Sequence, residues 1–335
     1  MTAQAFCYVV VAHESSGTER LVRRIRAVSP GARVLVRFED PDAFDAAALR
    51  RAGAIPFVSR VRVRWGTWSL TEAMLEALGQ AQAMTGASHY VLISGQDYPI
   101  RDLAAWEEQL RERDLDALLD PLPTQAHNYR IRWSVRRLRP TGVAHVARGA
   151  RFALNRAGAA LNPVAYAHTS GRPRDDRVWL GLTRVTTPPM TVTKCAQWLT
   201  VRAAAVDELL RRDRRDTRAR GFFEHVKIPD ESYVPSLLHD LPGARLAHGQ
   251  TTAKEFLPGQ GSPQWVDTDV LARLRRCSAA PFARKFGPDV TAQTLAAADA
   301  LCRRTPHEVQ ADVVEAGRPT DADTWPATVR ALIVA

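Results

Sequence analysis

The sequence predicts an α/β protein with a mostly parallel central sheet flanked by helices. Strand and helix signals alternate through the first 120 of its 335 residues. The strand signals are continuous apolar runs, as in strands buried on both faces. The composition, 45% hydrophobic and 24% charged, is that of a globular chain and excludes disordered, collagen-like and coiled-coil proteins.

Each element has its own signal. Phe6–Ala12 is an apolar run for the first strand. A helix opens at Ser16 or Gly17, carries Leu21, Ile25 and Val28 at helical spacing, and stops at Ser29-Pro30-Gly31. Val34–Phe38 predicts a second strand, Pro41-Asp42 a helix to about Ala52, and Ile55–Val58 a third strand. Arg60 to Arg64 alternates with period two and predicts a half-exposed strand. Ser69 is the expected cap of a long helix to about Met84. Tyr90–Ile93 predicts the fourth core strand, and a helix from Asp102 and a strand near Leu115–Leu119 follow. Ligands on such sheets sit at the carboxyl ends of strands, here the loops after Ala12, Phe38 and Ile93.

After residue 120 the pattern loosens. Pro121 to Arg174 reads as loop-heavy with weak helix signals. Strands are expected at Val178–Leu182 and Gln197–Thr200, and helices at Val201–Arg212, Pro229–His239, Thr268–Arg276 and Asp289–Arg303. The expected organisation is one domain over 1–303, in two halves (1–120 and 121–303), then a tail (304–335) to which no function is assigned.

The net charge of +10 is concentrated in one place. Residues 121–174 hold ten Arg and no Asp or Glu, and the rest of the chain balances. Such a field predicts an anionic partner: nucleic acid, a phospholipid surface or a phosphorylated small molecule. No apolar run approaches the roughly 18 residues that span a bilayer. Phe6–Ala12 reads as a buried strand and not a signal peptide, so a cytoplasmic location is expected. Cys7, Cys195, Cys277 and Cys302 are widely spaced and read as free thiols.

The sequence lacks GxxxxGK[ST], an early GxGxxG, HExxH and GxSxG, which argues against the matching chemistries. Four Asp-x-Asp pairs occur, at Asp40/Asp42, Asp114/Asp116, Asp267/Asp269 and Asp321/Asp323. None follows the fourth strand, so caps and turns are expected and no metal ion or cofactor is.

Two segments carry a resemblance. Arg64-Trp-Gly-Thr-Trp-Ser-Leu-Thr-Glu-Ala73 and His89-Tyr-Val-Leu-Ile-Ser-Gly-Gln-Asp-Tyr-Pro-Ile100 resemble the core-2/I-branching β-1,6-N-acetylglucosaminyltransferase family, which includes the peptide xylosyltransferases. Cys195–Arg202, Ile228–Val234 and Pro281–Phe286 are similar to three later motifs of that family. The resemblance implies a GT-A-type nucleotide-sugar-binding fold, a UDP-sugar donor, inversion at the anomeric carbon and no metal.

It also implies site residues. Glu231 matches the general base; its plain alternative is an acid favoured at a helix N-terminus. Lys285 and Lys254, two of only four lysines, are the expected cations for the diphosphate. His13 and Asp40 follow the first two strands and are expected to line the uridine pocket, with Glu39 as an alternative to Asp40. Asp97, Arg132, Arg137 and Trp198 are the candidates for the acceptor side or cleft, and Trp65 and Trp68 are read as packing residues. The expected partners are a UDP-sugar, with GlcNAc first and xylose second, and a glycan, lipid-linked or small natural-product acceptor. Two other readings stay open: a nucleic-acid-binding protein using 121–174, and a non-catalytic sugar-binding relative.

Overall fold

Phe6–Val11 forms β1 and all six residues are buried. Alternate side chains leave a strand on opposite faces. Cys7, Val9 and Val11 therefore enter one core, and Phe6, Tyr8 and Val10 the other. This computed structural model describes residues 5–122, 130–138, 148–160, 164–169, 178–257 and 260–303.

The strands of the first 120 residues are β1, β2 (Arg33–Phe38), β3 (Ile55–Val58), β4 (His89–Ser94), β5 (Asp97–Pro99) and β6 (Ala117–Leu119). Then come β7 (Trp133–Leu138), β8 (Ala165–Thr169), β9 (Val178–Thr183), β10 (Thr200–Arg202), β11 (Leu246–His248), β12 (Thr252–Lys254) and β13 (Phe282–Arg284). The central sheet has the order β11-β6-β10-β4-β1-β2-β3. All its pairings are parallel except those of β10 with β4 and β6. Strands from both sides of residue 120 thus share one sheet.

Helix Trp68–Thr85 seals one face with Leu70, Met74 and Leu78. Helices Ser15–Val28 and Leu103–Arg113 seal the other with Leu21, Ile25, Leu103 and Leu110. Two small sheets hang from this frame, β12-β13-β5 and the antiparallel β7-β9-β8. Cys7, Cys195 and Cys302 are buried free thiols and Cys277 is half-buried. No helix among the described residues is long and apolar enough to cross a membrane.

Several local expectations need correction. Residues 60–64 are not a strand. Their valines are half-buried and their arginines exposed, but the backbone is tethered by side chains: Arg37 donates to Val61 O, and Val63 N–H donates to Glu39. The helix after Pro41 starts only at Ala46, with Asp45 accepting from Ala48 N–H at 2.8 Å. Thr67, not Ser69, occupies the cap position of the long helix; Ser69 Oγ accepts from Arg64 N–H at 2.7 Å. The strand expected at Gln197–Thr200 lies at Thr200–Arg202, and its helix is Ala203–Arg215. The segment from Pro229 is a 3-10 turn, Pro229–Glu231, ahead of helix Tyr233–His239. The Arg-rich stretch, read as loop-heavy, holds β7, helix Arg148–Ala160 and β8.

Candidate active site

The turn after β4 begins the site. Gly95 passes so close to Thr18 that a Cβ would lie 2.5 Å from its Oγ1. The chain then enters β5 with Asp97 buried. Asp97 Oδ2 accepts from Ser94 N–H at 2.8 Å and Thr252 Oγ1–H at 3.4 Å. Its Oδ1 faces Arg284 Nε at 3.4 Å, because β13 pairs Arg284 with Asp97. Burial pushes the Asp97 carboxyl up, and the Arg284 charge opposes it. Arg284 stacks over the Trp198 ring at 5.0 Å, so buried Trp198 is a floor beneath this ion pair.

Lys285 follows Arg284. Its Nζ donates to Ser262 Oγ at 2.7 Å and lies over the Trp265 ring at 5.7 Å. Phe286 N–H donates to Gln96 O at 2.8 Å, binding this segment to the turn after β4. Lys254, at the end of β12, reaches Asp120 Oδ2 at 3.3 Å. Burial pushes Asp120 up, and Lys254 opposes it. His13 stands after β1. Desolvation, with the charges of Lys285 and Arg284, pushes its imidazole down, while Glu14 and Glu39 oppose.

Glu231 ends the 3-10 turn. Arg130 Nη1 is hydrogen-bonded to its Oε2, and Lys194 Nζ lies 3.7 Å from the same oxygen. Cys195 N–H donates to Glu231 O at 2.9 Å, so the Cys195–Arg202 segment positions the backbone of the expected base. Burial pushes Lys194 down, and the nearby Arg130 adds to this. Asp230 is buried and its Oδ1 has no hydrogen-bond partner among the described residues. Burial first, then the Glu231 charge, pushes Asp230 up to about 7.

The turn is held from the other side by Gly66. Ile228 N–H donates to Gly66 O at 2.9 Å. Ile228 has φ 58°, a left-handed conformation that a β-branched residue adopts only when its surroundings impose it. Gly66 itself has φ 74°, and a Cβ there would lie 3.0 Å from the Trp179 ring. Trp68 is buried edge-on against Tyr233 at 4.8 Å, and Trp65 is about half exposed.

The electrostatic interactions link these groups into one chain: His13 with Lys285 and Arg284, Asp97 with Lys254, Asp120 with Glu231, and Lys194 with Arg130. Arg132 is exposed beside the Trp133 ring at 5.7 Å, and Arg137 is half-buried on β7 opposite Trp179. Asp40 is exposed and closes a turn by accepting from Asp42 N–H at 3.1 Å. Arg130, Lys194, Asp120, Asp230 and Arg284 join the cluster without having been singled out in the sequence. The arginines and Asp230 adjoin residues that were, and Lys194 is one of only four lysines and directly precedes Cys195.

The Asp-x-Asp pairs are engaged elsewhere. Asp114 and Asp116 pair with Arg202 and Arg245, and Asp267 caps helix Thr268–Cys277. Asp321/Asp323 lies outside the described residues. Among the described residues no three His, Cys, Asp or Glu side chains are grouped to hold a metal ion.

A family model described as Core-2/I-branching enzyme matches residues 8–269. The chain belongs to the Core-2/I-branching enzyme family. That match includes the motifs around Gly66, Asp97, Trp198 and Glu231; Lys285 lies beyond it and joins the site through β13. This family member is thereby a glycosyltransferase by kinship. No curated protein sequence matches it.

Three solved structures are similar to parts of this Core-2/I-branching chain. One is a candidate glucose-1-phosphate thymidylyltransferase from Bacillus anthracis in complex with a sucrose, 11% identical, covering 89% of this chain and 96% of that one, with a TM-score of 0.33. The second is a mycobacterial protein, 11% identical over 65% and 63% of the two chains, with a TM-score of 0.29. The third is mannose-1-phosphate geranyltransferase from Thermus thermophilus, 13% identical over 73% of each chain, with a TM-score of 0.30. At these scores nothing about the family member rests on them.

Proposed function

We propose that the chain is an inverting glycosyltransferase that moves a sugar from a UDP-sugar to an acceptor hydroxyl without a metal ion. GlcNAc is the first candidate sugar and xylose the second. Glu231 takes the proton from the acceptor hydroxyl as that oxygen attacks the anomeric carbon. UDP leaves with the electrons of the broken bond. Fixed cations positioned before the reaction stabilise that leaving charge without reorganising. Lys285 and Lys254 are assigned to the diphosphate, with His13 and Asp40 toward the uridine.

One observation supports this reading above the others. Glu231 and the cations Arg130, Lys194, Lys254, Arg284 and Lys285 belong to one linked cluster that includes the turn after β4. A helix-capping acid would need no such company. Arg130 and Lys194 both approach Glu231 Oε2, the oxygen assigned to take the proton.

The test is thermal stability with UDP, UDP-GlcNAc, UDP-xylose, UDP-glucose and GDP, each with EDTA and with Mn²⁺. A ligand that binds the native state raises the midpoint by mass action. UDP ligands are expected to stabilise in EDTA, and Lys285→Ala to abolish the effect. Stabilisation only with Mn²⁺ would overturn the metal-free mechanism, and no effect from any nucleotide would overturn the donor assignment.

A further inference from the structure

The β7-β9-β8 sheet has two unlike faces. Its inner face is a buried cluster of Trp133, Val135, Tyr166 and Trp179. That face is fixed to the segment leading to Glu231. Val135 N–H donates to His225 O at 2.8 Å, Lys227 Nζ donates to Tyr166 Oη at 2.9 Å, and Trp179 packs on Gly66.

The outer face is apolar and open. Leu180 and Leu182 are 38% and 65% exposed on β9. Val164 and Val185, at the adjoining strand ends, are 68% and 98% exposed. The register places Leu180 between Arg136 and Ala167, and Leu182 between Ser134 and Ala165. Residues directly opposite in a ladder share a face. Arg136 is thus beside the leucines, and Arg132 and Arg156 are exposed on the same small unit. Exposed branched aliphatics grouped in this way mark an interaction site.

We propose that this face docks the enzyme onto an anionic lipid surface. The occupant follows from charge. β7, β8 and the helix between them lie within residues 121–174, whose ten arginines come with no carboxylate. β9, which carries the leucines, follows Asp175 and Asp176, and the exposed charged side chains described at 130–138 and 148–160, Arg132, Arg136 and Arg156, are all basic. An interfacial site combines apolar side chains that enter the headgroup region with basic ones that pair with anionic lipids. Arg130 stands three residues before β7 and bonds Glu231, so, on the proposed function, docking would anchor to the lipid surface the unit that contacts the catalytic carboxylate. The acceptor class that fits is a hydroxyl displayed at a membrane.

The test is co-sedimentation of the full chain with vesicles of phosphatidylcholine alone or mixed with phosphatidylglycerol. Vesicle binding needs no catalysis, so this result is separable from that of the nucleotide titration. Binding is expected to the anionic vesicles only and to weaken with salt. The double substitution Leu180→Ser, Leu182→Ser should weaken it about tenfold or more. Arg136→Ala should weaken it about fivefold. A melting midpoint equal to wild type checks that each variant folds. Leu182→Trp is a second probe, whose fluorescence should shift to the blue on anionic vesicles. No binding to anionic vesicles overturns the proposal, as does binding that ignores both leucines. It is equally overturned if the leucine variant disrupts only self-association, or if RNA is bound and vesicles are not.

Discussion

Asp230→Asn should make the protein more stable, and increasingly so as pH rises. The wild-type carboxyl is buried beside Glu231 and pushed up to about 7. In the unfolded chain it titrates near its ordinary 3.8. Between those values the native state keeps a proton that the unfolded state has released. Stability therefore falls as pH rises through this window, and the loss is complete above about pH 7. At 1.36 kcal/mol per tenfold, the full gap corresponds to about 4 kcal/mol. Asn keeps the shape of the protonated acid and cannot ionise. The difference in unfolding free energy, variant minus wild type, should be near zero at about pH 4 and approach about 4 kcal/mol at about pH 8. Urea unfolding at a series of pH values measures it. A difference that stays flat across that range would refute the reasoning.

Two further outcomes follow from the geometry. Glu231→Gln should lower kcat by about 10²- to 10⁴-fold while leaving the UDP-induced thermal shift in place, as removal of a general base does; equal loss of both would make Glu231 a binding residue instead. Gly66→Ala should cost about 1–2 kcal/mol from the positive φ alone, with the Trp179 contact adding to it, and should lower kcat through the Ile228 hydrogen bond, checked by denaturant midpoint and steady-state kinetics.

Much of the fold was legible because the core strands are unambiguous. Phe6–Val11 and His89–Ser94 are buried throughout and admit one reading. The errors fall where side chains replace backbone pairing. Residues 60–64 show the alternation of a strand, yet Arg37 and Glu39 take the places a neighbouring strand would fill. In Trp133-Ser-Val-Arg-Arg-Leu the two adjacent arginines interrupt the alternation, so β7 was invisible. The site was legible in part, through residues in distinctive motifs: Asp97, Trp198, Glu231, Lys254 and Lys285. Their partners were not. Arg130 is one of ten arginines in its segment, and only the fold places it, and not Arg132 or Arg137, on Glu231. Asp230 reads as an ordinary turn acid until its burial is known.

If the cluster holds the donor diphosphate as proposed, its charge balance should make donor binding pH-dependent, with a definite sign. Five cations, Arg130, Lys194, Lys254, Arg284 and Lys285, face four carboxylates, Asp97, Asp120, Asp230 and Glu231. Three of those carboxylates are already matched by named cations: Asp97 by Arg284, Asp120 by Lys254, and Glu231 by Arg130 and Lys194. Asp230 is the carboxyl pushed up to about 7. Below about 7 it is neutral and the cluster has an excess of positive charge for a diphosphate; above, its carboxylate reduces that excess. UDP-GlcNAc suits the measurement because its diphosphate, esterified at both ends, has no group titrating near neutrality. Its affinity should fall as pH rises through about 7, and Asp230→Asn should hold the low-pH affinity across the range. Identical pH profiles for the two proteins would mean that the diphosphate sits beyond the reach of Asp230, and the assignment of the cluster as one electrostatic unit would fall with it.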